Sequence, residues 1–215
     1  LIISLTEPGN YLLLKRLLRC IMRNEANSAL WSSFKQGNWD AYASLYNNYY
    51  GPLNNYGYKF TRNSKLIEDA IHDLFVRLWI TRSNLGDPAS VKNYLYKSLR
   101  NTLIRKIKTE EKYTGIDTED YPSGFEVSYN SQADLAIEEK EFSGKVKNII
   151  NSLPPRQKEI IYLRFYEGLS YDEIADIMGI GINSAYKLLY KALENLQQTL
   201  GPSALLCLLT GFTHF

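Results

Sequence analysis

Two groups of side chains in this 215-residue sequence carry recognisable chemistry, and neither is catalytic. Within residues 170–190 (SYDEIADIMGIGINSAYKLLY), Asn183, Ser184, Tyr186 and Lys187 are followed by Tyr190 and Lys191 at helical spacing. An amide can pair with an adenine edge, and an ammonium reaches guanine or phosphate. Tyr186 and Tyr190 suit helix packing equally well. The second group is Lys92, Lys97, Arg100, Arg105, Lys106, Lys108 and Lys112 with Tyr94 and Tyr96. Cations attract phosphates, and rings give unpaired bases a surface to stack on. A solvated helix face is the plain alternative.

Covalent chemistry finds little support. The pairs Glu68–Asp69, Glu110–Glu111 and Asp172–Glu173 are adjacent in sequence, so on a helix they diverge instead of sharing a proton. Asp69 and Asp73 fall on one helical face, but no matching ligand set accompanies them. Phosphate-cradling and nucleophile-elbow loops are missing. The histidines are His72 and His214, and Cys20 and Cys207 sit near opposite ends. That excludes a histidine-rich metal site, a zinc knuckle and a disulfide framework, and it fits a reducing intracellular compartment. The sequence therefore predicts a non-enzyme without metal, cofactor or small-molecule substrate.

The elements that must hold these groups are helical. Ser170 with Glu173 forms a capping box that starts a helix burying Ile174, Ala175 and Met178. Gly179 supplies a left-handed turn, and a second helix begins near Ile182 or Asn183, burying Ala185, Leu188 and Leu189. Small Ala175 lets the two helices cross closely. This is the helix-turn-helix spacing, with an ordinary helical hairpin as its alternative. Upstream, Phe34, Trp39, Tyr42, Leu45 and Tyr49 suggest a first helix interrupted early by Gly37. Leu66, Ile67, Ala70, Ile71, Leu74, Phe75, Leu78 and Trp79 trace a wide apolar stripe. After NLGDPAS (84–90), Asp87 is expected to cap a helix opened by Pro88. That helix places Val91, Leu95, Leu99, Leu103 and Ile107 at every fourth residue. Helical spacing resumes at Phe142, Val146, Ile149, Ile150 and Leu153, and Pro154–Pro155, Gly168 and Gly179 then divide the chain into helices of about three turns or fewer.

Charge divides the chain further. Residues 31–112 carry net +6, residues 113–143 net −7 and residues 144–200 net +1. Such a series predicts separate units, the first facing a polyanion. The expected organisation is all-α: an extension at 1–28, a helical domain at 29–112, an acidic flexible linker at 113–140, a helix-turn-helix domain at 141–200 and an apolar tail at 201–215. Two readings of Tyr11–Met22 stand: an amphipathic helix, or sequence upstream of a start at Met22. Neither that stretch nor Ser203–Phe215 suits a membrane span, so no stable insertion is expected.

With these motifs in hand, the sequence resembles a bacterial RNA polymerase sigma factor of the sigma-70 family, in its compact extracytoplasmic-function class. FKQGNWDAYASLYNNYY, EDAIHDLFVRLW and VKNYLYKSLRNTLIRKIK resemble the promoter-melting domain. LPPRQKEIIYLRFYEGLSYDEIADIMGI resembles the second DNA-binding domain. The two blocks stand in the family's order with no third domain between them.

The resemblance implies roles by position. Asp69, His72, Asp73, Phe75 and Arg77 match the helix that docks on the polymerase clamp. Residues 84–92 match the loop capturing a flipped −10 base. Lys92, Asn93, Tyr94, Lys97, Arg100, Asn101 and Arg105 match the −10 element's binding helix. Asn183, Ser184, Tyr186, Lys187 and Lys191 match the −35-reading helix. Tyr186 and Leu188 stand where the family often has cations, so phosphate anchoring is expected to fall on Arg164, Lys187 and Lys191. His72 stands where Gln is common. The acidic linker is expected to act as a polyanion mimic in the RNA path. Implied partners are core RNA polymerase, promoter DNA and an anti-sigma factor, in the cytoplasm. A helix-turn-helix regulator acting without polymerase, or a nucleic-acid-processing enzyme, would be the other readings.

Overall fold

The computed structural model describes residues 27–113, 125–126 and 149–200. The extension before them, most of the acidic linker, Phe142, Val146 and the tail lie outside the described residues. Every regular element among the described residues is helical.

Helix α1 occupies 27–35 and α2 spans Trp39–Gly57, joined through Gly37 at φ +88°. Asn38 caps α2, its Oδ1 accepting the Ala41 N–H at 3.0 Å. Helix α3, Ser64–Thr81, buries Leu66, Ile67, Ala70, Ile71, Leu74, Phe75 and Leu78, which is the predicted stripe. Asn63 caps it by accepting the Leu66 N–H at 3.2 Å. Gly57 lets α2 and α3 meet, because a Cβ there would lie 2.5 Å from Ile67 Cγ2. Helix α4, Val91–Tyr113, buries Val91, Leu95, Leu99, Leu103 and Ile107 against α2 and α3.

The expected start of α4 is wrong by three residues. Residues 85–90 hold no helix, and Ser90 is the cap, its Oγ accepting the Asn93 N–H at 3.3 Å. Asp87 instead pairs with Lys35 at 2.6 Å. A hydroxyl at the right offset outcompetes a carboxylate that has found a cation.

In the second unit the described end of α5 is 149–151, and α6, Pro155–Ile161, starts on a proline. It runs into one π-helical turn, Tyr162–Tyr166, in which the Glu167 N–H donates to the Tyr162 carbonyl at 3.1 Å. Helix α7, Tyr171–Met178, carries the capping box: Ser170 N–H donates to Glu173 Oε2 at 2.8 Å, and Glu173 N–H to Ser170 Oγ at 3.3 Å. Gly179 ends it at φ +65°, ψ 41°. Helix α8, Ile182–Leu200, is 19 residues long, beyond the three turns expected, because its apolar stripe continues through Ala192 and Leu196 against α6.

The two units pack on each other through α4 and α7. Tyr56 of α2 stacks on Tyr96 of α4 at 4.9 Å and on Tyr162 at 5.9 Å. Phe125, from the acidic linker, is fully buried; it sits edge-on to Phe60 at 5.0 Å and near Tyr162 at 6.4 Å. The next residue is held too, the Glu126 N–H donating to the Lys59 carbonyl at 2.7 Å.

Candidate nucleic-acid interface

Asn183, Ser184, Tyr186, Lys187 and Lys191 all lie on the exposed side of α8 while Ala185 and Leu189 are buried behind them. The sharp Gly179 turn sets the helix across α7, so its first turns face outward. Tyr186 is half exposed yet not loose: its ring stacks on Tyr171 at 3.8 Å. Arg164 supports that pair from below. Its Nη1 donates to the Leu169 carbonyl at 2.7 Å and its guanidinium lies 4.9 Å from the Tyr171 ring. A planar cation and the Tyr171 ring therefore hold the outward-facing Tyr186 in place. Leu188 is half-buried instead of fully buried.

The α4 candidates divide. Asn101 and Arg105 are exposed, and Tyr94 is partly buried with its ring 5.5 Å from Trp31. Lys92, Lys97 and Arg100 meet the second unit. Arg100, 8% exposed, donates to fully buried Glu159 through Nε at 2.8 Å and Nη2 at 3.2 Å. The Tyr56 hydroxyl donates to the same carboxylate at 2.6 Å. Lys92 pairs with Glu167 at 2.8 Å and Lys97 with Asp176 at 2.5 Å. Asn93 is buried, and its Oδ1 has no hydrogen-bond partner among the described residues. Tyr96 is fully buried, so it cannot offer a base the stacking surface its sequence position suggests; burial also raises its phenol well above the usual range. Tyr162 is raised likewise, first by burial and then by Glu167.

On α3, Asp69, His72, Asp73 and Arg77 form an exposed polar row. Phe75 is different: it is 1% exposed and packs edge-on against Tyr46 at 4.9 Å, so it holds the helix in the core and cannot touch a docking partner. Its spacing from Ile71 and Leu78 already marks it as part of the apolar stripe. Exposed Val76 and Ile80 lie on the same helix, and exposed Trp39 is edge-on to Trp79 at 5.1 Å. Asp73 accepts from Lys106 at 2.8 Å, and that hydrogen bond holds its carboxyl below the ordinary value.

Glu159, Glu167, Asp176, Tyr171 and Phe125 were not singled out by sequence reasoning. Glu159 did leave a signal, being an acid directly before the apolar run Ile160–Leu163. Phe125 is the one phenylalanine in the linker 113–140.

Residues 45–113 match the family described as Sigma-70 region 2, and residues 143–196 match Sigma-70, region 4. The chain belongs to the sigma-70 family. This sigma factor is 23% identical over 164 residues to RNA polymerase sigma factor YlaC of Bacillus subtilis, covering 76% of this chain and 94% of that one. It is 23% identical over 172 residues to the ECF RNA polymerase sigma factor SigW of the same organism, covering 77% and 92%. A relative named for the extracytoplasmic-function class is thus among the proteins it is similar to. Among solved structures, CnrH in complex with the cytosolic domain of CnrY matches with a TM-score of 0.55 at 17% identity, covering 81% of this chain and 97% of that one. The sigma factor RpoE in complex with the anti-sigma factor NepR from Bartonella quintana matches at 0.54 and 19%, covering 73% and 94%. Both share this sigma factor's fold. No helix among its described residues is long and apolar enough to cross a membrane.

Proposed function

We propose that this sigma factor, which directs RNA polymerase to promoters, divides the task between its two units. The unit within 29–112 carries the polymerase contact on the exposed row Asp69, His72, Asp73 and Arg77, and the −10 contact on α4. The unit within 141–200 reads the −35 element with Asn183, Ser184, Tyr186, Lys187 and Lys191, with Arg164 acting behind Tyr171. The observation that carries this assignment is α8 itself. Its exposed N-terminal face combines an amide, a hydroxyl, a phenol and a cation, set outward by a capped helix and a left-handed glycine.

The protein performs no bond-making of its own in this reading. It works in the cytoplasm, where core polymerase and promoter are found. It is also held by an anti-sigma factor, as the similar sigma factor RpoE from Bartonella quintana is bound by the anti-sigma factor NepR. The test is run-off transcription from a promoter library with purified core polymerase. Specific transcripts that require this chain are the expected result. A chain that binds duplex tightly without polymerase and yields no transcripts would overturn the assignment.

A further inference from the structure

Among the described residues, the second unit leaves three large apolar side chains exposed, and all three lie on α8. Ile182, Tyr186 and Tyr190 follow one another at four-residue steps, exposed by 45%, 50% and 72%. Side chains at that spacing share a helix face. They form a continuous stripe that is separate from the core side, where Ala185, Leu189 and Ala192 are buried. Tyr190 is too exposed to serve the helix packing that its spacing allowed.

An apolar stripe held in water gains by burial, and its surroundings say against what. No Asp or Glu occurs between Ile182 and Leu193. Lys187 and Lys191 run beside the stripe, and exposed Asn183 and Ser184 flank its start. Such a face suits a polyanion that carries apolar groups of its own. Duplex DNA is one. Each A·T pair sets the 5-methyl group of thymine in the major groove, beside an adenine edge that an amide such as Asn183 can take. Ile182 and Tyr186 stand about 6 Å apart along the helix axis, roughly two base-pair steps.

Tyr186 is the rigid member of the stripe. Tyr171 covers one face of its ring at 3.8 Å. Arg164 lies 4.9 Å from the Tyr171 ring and is tied by Nη1 to the Leu169 carbonyl at 2.7 Å. A ring fixed beforehand loses little freedom on contact, so its open side can discriminate by shape.

We propose that Ile182 and Tyr186, extended by Tyr190, are specificity-determining residues that read thymine methyl groups, so that the chain selects A·T pairs within the −35 element. This inference rests on the assignment of α8 to that element and adds the chemistry that is read there.

The test uses the full chain in complex with core polymerase, on a promoter recovered from the run-off selection. Each thymine of the −35 element, on either strand, is replaced in turn by deoxyuridine, which removes the methyl group and keeps the base pairing. Loss of one buried methyl is expected to weaken binding roughly fourfold at two or more positions. Tyr186→Ala should erase that penalty at one position and Ile182→Ala at another. Tyr186→Phe keeps the ring, drops the hydroxyl and should preserve the penalty. If Tyr186→Ala fails to fold, Ile182→Ala, at an exposed site outside the core, carries the test. Uracil tolerated at every position, or penalties that persist in both Ala variants, would overturn the proposal. So would a Phe variant as impaired as the Ala variant, since the hydroxyl and not the ring would then meet the DNA. Ala variants that leave promoter binding unchanged would overturn it as well and assign the stripe to a protein partner. Failure of the −35 assignment looks different: exchanging whole A·T pairs for G·C pairs in the element would then leave wild-type binding unchanged.

Discussion

The rings of Tyr171 and Tyr186 lie 3.8 Å apart at an interplanar angle of 24°, tying the first turn of α7 to the exposed side of α8. Tyr186 therefore reaches the outside already oriented. An aromatic pair of this kind contributes about 0.5–1.5 kcal/mol beyond its buried area. Tyr171→Ala should weaken −35 binding by up to about tenfold. The measurement is a titration of −35 duplex with the full chain, and unchanged affinity would show that Tyr186 needs no support.

Lys187 is exposed and has no ion-pair partner among the described residues. If it meets phosphate, Lys187→Ala lowers affinity across many −35 sequences alike and reduces the salt slope by about one unit. Binding isotherms at several salt concentrations decide this. A sequence-dependent loss at constant slope would place the ammonium on a base edge.

Arg100→Glu combined with Arg105→Glu should abolish open-complex formation while binding to core polymerase persists. Arg100 contributes twice, since a carboxylate in its place would face buried Glu159 and drive the two units apart. Permanganate footprinting of the melted strand, set beside a core-binding assay, separates these effects. Equal loss of both activities would contradict the division of roles between α3 and α4.

Two glycines should fail for different reasons. Gly179 has open space around its α-carbon but sits at φ +65°, so Gly179→Ala is expected to cost about 1–2 kcal/mol through backbone strain. Gly57 has an ordinary backbone, but an added Cβ would lie 2.5 Å from Ile67 Cγ2, and overpacking of this kind costs about 1–3 kcal/mol. Chemical denaturation of each variant checks the pair. Measured in an Ile67→Ala background, the Gly57 substitution should cost less than in the wild-type chain, whereas the Gly179 substitution should cost the same.

Local devices were readable from the residues because their signals are local. The stripe from Leu66 to Leu78, the Ser170–Glu173 box and the turn at Gly179 each complete themselves within one helix or one turn. The exposed face of α8 follows from the same spacing. What escaped is the contact between units. Arg100 and Glu159 are 59 residues apart, and Tyr56 and Glu159 are 103 apart, so no window of helical periodicity contains both partners. A charge run on α4 looked solvated or DNA-facing because sequence shows the cations without their acids. Asp87 misled for a related reason: its capping offset is visible in the sequence, whereas Lys35, which claims it, is distant. Phe75 and Tyr96 were given to partners although their apolar spacing places them in the core.

Trp31, Trp39 and Trp79, all in the first unit, are the only tryptophans in the chain. Trp31 is 2% exposed, while Trp39 is 62% exposed beside Trp79. The molecule's intrinsic fluorescence is thus an internal reporter for one half only. A protein settling over the Trp39–Trp79 edge would shift its colour, whereas a duplex gripped by α8 alone would leave the emission where it was.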